Sequence, residues 1–366
     1  MKIIMTGGGT GGHIYPAITI ADKIKRKNPD AEILFVGTKR GLEKDIVPQN
    51  GYEIEFIAVS GFDRKNILKS IKTIKDLYIG IKQAKGIINR FKPDIVIGTG
   101  GYVCGPVVRA AYKKGIKTFI HEQNAFPGMT NKMLEKFANK VFISFSESKK
   151  YFKDQSKLIL SGNPIRKEFT LQNNSENRKA LNITDGDFVV LCFSGSLGSK
   201  TINNSIAEAI KKINNEDKLK IFFITGKSYY EPVCSLLEEE MIAKNAIVEI
   251  LPYTHELYKY MSAADLVISR SGALTISEIN ALGKASILIP SPYVANNHQF
   301  FNAKILSDAG CAILIEEKDI TDDKLYDTIM RLKNNKEMLN RMSKISQEMG
   351  MLDAVEIIYE NIEIWV

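Results

Sequence analysis

Short runs of apolar, mostly β-branched residues recur along the chain, each followed by a longer stretch in which apolar residues return every three or four positions. In the first half these runs are KIIMT, EILFVG, YEIEFIAV, DIVIGTG, KTFIHEQ and KVFISF, between Lys2 and Phe145. Runs that are apolar throughout read as strands buried on both faces, and the segments between them as amphipathic helices. The alternation predicts βαβ units on a parallel sheet, an α/β fold. Between residues 162 and 187 the pattern gives way to a polar, Asn-rich stretch that reads as a linker. A second series follows, FVVLCFSGS, IFFIT, IVEIL, DLVISRSG, ASILIP and CAILI, and the chain closes on three helical patterns, Asp322 to Lys333, Glu337 to Met349 and Asp353 to Ile364. Two doubly wound domains facing a cleft are expected, with ligands at the carboxyl ends of the strands.

Composition narrows this picture. At 366 residues, 44% hydrophobic and 25% charged, the chain can bury two cores and is neither disordered nor fibrous. No window reaches the ~18 to 20 apolar residues of a membrane span, and Met1 runs straight into the first strand, so the protein is expected to start out in the cytosol. Cys104, Cys192, Cys234 and Cys311 are far apart in apolar surroundings and read as buried thiols. His13, His121, His255 and His298 form no HxxxH or HExxH pair, so neither a dedicated metal site nor a bound cofactor is expected.

The net charge of +8 is concentrated in one place. Residues 62–92 carry nine Lys and Arg against Asp63 and Asp76, a local net of +7. Within it Ile67, Ile71, Ile74, Tyr78 and Ile81 form an apolar stripe, with Lys65, Lys69 and Lys72 on the other face. Such a helix suits an anionic membrane surface, or else a core-facing helix with a solvated lysine face. Nucleic acid is not expected as a partner, because no RNP, helix-turn-helix or zinc-finger pattern accompanies the patch.

The chemistry-bearing motifs follow strands. After the first comes GGGTGGHIYP, Gly7 to Pro16, where small residues let backbone approach a ligand and a helix N-terminus favours an anion. It lacks the Lys-Ser/Thr of a P-loop, and no acidic residue closes the second strand as a dinucleotide fold requires, which argues against an NAD-dependent oxidoreductase. GTGGYVCGP (Gly98 to Pro106) and SGSLGSKTIN (Ser194 to Asn203) repeat the theme, suggesting a phosphorylated substrate cradled on both walls. A non-catalytic membrane scaffold would leave these loops unexplained. In SRSGALTISE, Ser269 to Glu278, a helix would start near Ser271 to Ala273; Glu278, about a turn further in, is either a ribose ligand or a solvated helix-face charge.

Taken in order, GGTGGH, GTGGYVxGP, HEQN (His121 to Asn124), GNPIR (Gly162 to Arg166), a GSxGS loop and RSGALTxSE resemble the MurG family over nearly the whole chain. These are UDP-N-acetylglucosamine transferases of peptidoglycan synthesis, which convert lipid I to lipid II. The resemblance implies a GT-B architecture of two Rossmann-like domains: residues 1–163 for the lipid acceptor and membrane surface, 164–345 for the donor, and 346–366 as a helix returning to the first domain. It implies a peripheral enzyme on the cytoplasmic side of the cell membrane, with UDP-GlcNAc and lipid I as substrates and residues 62–92 facing the anionic inner-membrane surface. Another GT-B enzyme with a different lipid acceptor is the alternative.

By motif position the resemblance places Thr10, Gly11, Gly12 and Asn124 near the donor sugar, and Arg166 and Ser196 near the nucleotide and its phosphates. Ala273, Leu274, Thr275, Ile276, Ser277 and Glu278 would hold diphosphate and ribose, Gln299 the sugar hydroxyls, and Thr254, in the divergent PYTHEL, the base. The third loop departs from the family's GSQGA at Leu197 and Ser199. His13 is the candidate general base for an inverting attack, since a histidine of ordinary acidity is mostly neutral at pH 7; capping the first helix is its structural alternative.

Overall fold

The structure, a computed structural model, describes the chain except residues 61–66, 196–197, 214–217, 239–247 and 366, and only the backbone of 67–72, 74, 238 and 322. It divides into two compact units, Met1–Arg166 with Met351–Val366, and Lys167–Gly350.

In the first unit seven strands, β1 (Lys2–Thr6), β2 (Glu32–Gly37), β3 (Glu53–Phe56), β4 (Ile95–Gly98), β5 (Lys117–Glu122), β6 (Lys140–Ile143) and β7 (Leu158–Leu160), form an all-parallel sheet in the order β3-β2-β1-β4-β5-β6-β7. The helices are α1 (Gly11–Lys27), α2 (Glu43–Gln49), α3 (Ile67–Phe91), α4 (Cys104–Tyr112) and α5 (Met129–Leu134). Because strand side chains alternate, Ile4, Val96 and Ile120 join one core with α3 and α4, while Ile3, Met5, Ile95, Ile97 and Phe119 join the other with α1. That second face is completed from the far end of the chain by α15 (Ala354–Glu363), whose Ile358, Tyr359 and Ile362 are buried there. Tyr359 Oη accepts from Asn28 Nδ2 at 2.9 Å, and Lys23 pairs with Glu356.

The second unit opens with α6 (Lys167–Thr170) and α7 (Asn174–Ala180), followed by the strands β8 (Phe188–Phe193), β9 (Leu219–Ile224), β10 (Val248–Leu251), β11 (Leu266–Ser269), β12 (Ala285–Leu288) and β13 (Ala312–Leu314). They too are all parallel, ordered β10-β9-β8-β11-β12-β13. Interleaved are α8 (Lys200–Lys211), α9 (Tyr230–Glu238), α10 (Leu257–Ala263), α11 (Ala273–Ala281), α12 (His298–Ala309), α13 (Asp322–Asn334) and α14 (Lys336–Glu348). Its core joins Val190, Ile221, Phe223, Ile268 and Ile287 to α8, α13 and α14.

Three expectations are corrected. The polar stretch after Gly162 is not a linker: Phe169 is fully buried, and Arg178 pairs with Asp265 at 3.2 Å and bonds the Ala263 and Asp187 carbonyls, so it belongs to the second unit. The units accordingly divide after Arg166 and Gly350, in place of 163 and 345. The strand β7 went unforeseen, a three-residue edge strand too short to carry a period. In α3 the buried face runs through Thr73, Gly80, Ala84, Ile87 and Ile88, leaving Tyr78 75% exposed. Gly80 sets that rotation, since a Cβ there would lie 2.3 Å from the Ala58 carbonyl oxygen. Arg64 and Lys65 of the basic segment lie outside the described residues.

Candidate active site

Both sheets reverse their strand order between the first strand and the fourth, β1 against β4 and β8 against β11. Crevices for ligands open at the carboxyl ends of such strand pairs. The Gly-rich motifs follow these four strands, and the helices they feed, α1, α4, α8 and α11, have no acidic residue in the first turn. Their positive ends are left for another anion.

In the first unit the two loops are built against each other. Thr99 donates its backbone N–H to the Thr6 carbonyl at 2.8 Å and its hydroxyl to the His13 carbonyl at 2.7 Å, and Gly8 N–H reaches the Gly100 carbonyl at 3.3 Å. Gly100, at φ +113°, leaves only 2.6 Å between a built Cβ and His13 Nδ1. Some of the glycines are therefore needed for loop packing rather than for ligand approach. Thr10 is the exposed N-cap of α1, and Gly11, Gly12 and His13 form its first turn, with His13 half-buried.

Two buried carboxylates hold the loops of this unit, Glu43 the turn before α1 and Glu122 the segment after β5. Glu43, fully buried, accepts from Gly9 N–H (2.9 Å), Thr38 N–H (2.9 Å) and Thr38 Oγ1 (2.7 Å). Glu122, at the end of β5, accepts from Asn124 N–H and Nδ2 on one oxygen and from Gly128 N–H and Asn131 Nδ2 on the other. Asn124 is thus aimed by Glu122. His13 Nδ1 lies 3.1 Å from both the Thr99 carbonyl and Gln123 Oε1, so the sequence-predicted His13 and the HEQN segment are brought together. Arg166 stacks its guanidinium 5.6 Å from the Tyr15 ring, on the same helix as His13.

In the second unit Gly272 caps α11 with extended backbone, and Ala273, Leu274 and Thr275 supply its first amides. Ile276 is fully buried, so any part it plays is through backbone, and Ser277 returns its hydroxyl to the Ala273 carbonyl at 3.0 Å. Glu278 is only 9% exposed, which removes the reading of a solvated helix-face charge. Ser271 Oγ donates to the Gln299 carbonyl and Gln299 Oε1 accepts from Ser291 N–H, tying α11 to the start of α12. Thr254 instead follows β10 at the sheet edge, where its hydroxyl accepts from Glu256 N–H ahead of α10. Ser196 lies outside the described residues.

The departure at Ser199 has a structural partner. Arg270 Nη2 donates to Ser199 Oγ at 2.8 Å and lies 2.5 Å from Glu317, while Nη1 donates to the Ile289 carbonyl. With side chains 12% and 9% exposed, this ion pair holds Arg270, just after β11, where it bonds Ser199. Sequence reading missed Glu43, Gln123, Arg270 and Glu317 as supports; Gln123 and Arg270 sat inside quoted motifs, whereas Glu43 and Glu317 carried no local signal.

The glycosyltransferase family 28 N-terminal domain matches residues 3–143 and its C-terminal domain residues 189–358. The chain belongs to glycosyltransferase family 28. A relative from Thermoanaerobacter sp. (strain X514), named UDP-N-acetylglucosamine--N-acetylmuramyl-(pentapeptide) pyrophosphoryl-undecaprenol N-acetylglucosamine transferase, is 48% identical over 363 residues, covering 99% of each chain. The Acetivibrio thermocellus protein of the same name is 46% identical over 363 residues, covering 99% of this chain and 98% of its own. Among solved structures, MurG of Acinetobacter baumannii superposes with a TM-score of 0.80 at 26% identity, covering 99% of both chains. The fold is therefore GT-B, as the motif order implied, and the family chemistry is glycosyl transfer.

Proposed function

We propose that this chain is an inverting hexosyltransferase that moves N-acetylglucosamine from UDP-GlcNAc to the C4 hydroxyl of MurNAc in undecaprenyl-pyrophosphoryl-MurNAc-pentapeptide, lipid I, giving lipid II. The observation that carries it is similarity to proteins named for that transfer that covers 99% of this chain and 98 to 99% of theirs. In the step itself the acceptor hydroxyl gives its proton to His13, its oxygen bonds the anomeric carbon, and the bond to UDP breaks with its electron pair leaving on the diphosphate. In this reading the amides opening α11, with Arg166 and Ser196, meet the nucleotide diphosphate, and Glu278 holds the ribose. Thr10, Gly11, Gly12, Asn124 and Gln299 meet the sugar, and Thr254 the base through its backbone.

The enzyme works at the anionic inner-membrane surface through residues 62–92. Lys75, Leu77, Tyr78, Lys82 and Lys85 are all exposed on α3, a mixed apolar and cationic face suited to anionic headgroups. Among the described residues no helix is long and apolar enough to cross a membrane.

The test is transfer from labelled UDP-GlcNAc to a short-chain lipid I analogue, with UDP-Glc and UDP-GalNAc alongside. Product from UDP-GlcNAc alone is expected; UDP release without lipid product would point to another acceptor. If His13 is the base, His13→Ala loses at least about 10²-fold in turnover, and retention of more than a tenth removes it from that role.

A further inference from the structure

A buried polar chain runs behind His13. His121, fully buried at the end of β5, points Nε2 at the Gly162 carbonyl 2.9 Å away, and its Nδ1 lies 2.9 Å from Gln123 Nε2. Gln123, also buried, sends the same amide nitrogen to the Thr99 carbonyl at 2.7 Å and turns Oε1 toward His13 Nδ1 at 3.1 Å. The Thr99 carbonyl lies 3.1 Å from that nitrogen as well.

The two ends of the chain are carbonyls, which only accept. At one end Gly162 requires the hydrogen of His121 on Nε2, so His121 Nδ1 presents a lone pair. That lone pair requires a donor, which fixes the NH2 of Gln123 toward His121 and its oxygen toward His13. At the other end the Thr99 carbonyl is already taken by that NH2 at 2.7 Å, which fixes the same amide orientation and leaves Gln123 Oε1 as the main acceptor for a hydrogen on His13 Nδ1, with the Thr99 carbonyl assisting. Reversing the amide would set Gln123 Oε1 against the Thr99 carbonyl and against the His121 lone pair at once, leaving buried acceptors facing one another. Burial pushes the His121 pKa down to about 4, with the nearby His13 adding slightly and the Gly162 carbonyl opposing, so that ring holds its place as a neutral imidazole.

We infer that Gln123, oriented by His121, locks His13 in the Nδ1–H tautomer and so leaves Nε2 as its proton acceptor. Gln123 is then a positioning residue: it touches no reacting atom and acts by deciding which nitrogen of the base is available. The inference rests on the reading of His13 as base for its consequence in turnover, but not for the tautomer itself.

The test is long-range ¹H–¹⁵N correlation of the histidine rings in ¹⁵N-labelled full-length protein at pH 8, together with steady-state kinetics. Four histidines make assignment by single substitution direct. The expected spectrum shows His13 protonated at Nδ1 and bare at Nε2, with His121 the reverse. Gln123→Leu should turn His13 into a mixture of tautomers and lower kcat roughly 10-fold, part of the 10²-fold or more that a base contributes, with donor KM within about two-fold. A wild-type His13 protonated at Nε2, or an unchanged His13 pattern in Gln123→Leu, overturns the inference. The wild-type spectrum stands by itself if that variant does not fold. A lock that is lost in Gln123→Leu without any change in kcat supports the inference and removes His13 as base.

Discussion

At the residue scale, the buried side chains of the first unit matter more than the exposed ones. His121 is held neutral in the fold, its pKa pushed down to about 4 by burial, whereas in the unfolded chain a histidine titrates near 6.5. Between those values the unfolded state binds more protons, so stability is full above about pH 6.5 and is lost as pH falls toward 4. The loss is about 3 kcal/mol. Urea unfolding of wild type and His121→Gln between pH 7 and 4.5 should show the wild type losing more stability, by about 2 kcal/mol over that window; parallel curves would mean that the ring is not held neutral. In the second unit, Glu278→Ala removes a charge-assisted bond of ~1.5 to 3 kcal/mol if the carboxylate holds the ribose, so donor KM should rise about 10-fold or more. Unchanged donor affinity would leave the buried Glu278 a purely structural role. Single buried residues such as Glu43 and Glu317 were not legible in the sequence, because a support is defined by what folds over it. Glu43 lies 34 positions from the Gly9 amide it accepts from, and no periodicity links them.

At the element scale, legibility followed burial. Strands such as β1, β4 and β11 read correctly because both faces of a parallel sheet are covered, so their central residues form an unbroken apolar run. Their order within each sheet also placed the Gly-rich loops at the switch points. In α3, close approach at Gly80 turns Tyr78 outward beside Lys75 and Lys82, which removes the core-facing alternative at that position, while the side chains of Ile67, Ile71 and Ile74 lie outside the described residues. The linker reading of the stretch after Gly162 failed, since its Arg178 and Asn174 bond the carbonyls of Ala263 and Ser262 at the end of α10. The outward face of α3 makes a prediction of its own. Each lysine near an anionic leaflet contributes about 1 kcal/mol, so Lys82→Gln with Lys85→Gln should cost ~2 kcal/mol and weaken partitioning onto vesicles of anionic phospholipid by roughly 30-fold. Cosedimentation at fixed salt reads this directly, and equal binding of variant and wild type would move the membrane contact off this helix.

At the scale of the whole molecule, the chain repeats one topology, 3-2-1-4-5-6, in both units, yet the two switch points are furnished differently. The first has a half-buried imidazole backed by buried amide and imidazole groups, the equipment for moving a proton. The second has a helix N-terminus with no acidic residue in its first turn and a nearly buried carboxylate in its second, the equipment for a diphosphate and a hydroxylated sugar. If that division of labour holds, UDP alone should act on the second unit. At 100 times its Kd a ligand of the folded state stabilises by about 2.7 kcal/mol, and hydrogen exchange would report where that stabilisation falls. Amides of residues 271–278 and of the start of α12 should slow with UDP, while those of Gly7 to His13 exchange as before. Protection confined to Gly7 to His13 would assign the nucleotide to the first unit and leave Glu278 without its ligand. Protection at 271–278 that falls to about half, near 1.4 kcal/mol, in Glu278→Ala at the same UDP concentration would tie the carboxylate to nucleotide binding without any acceptor present.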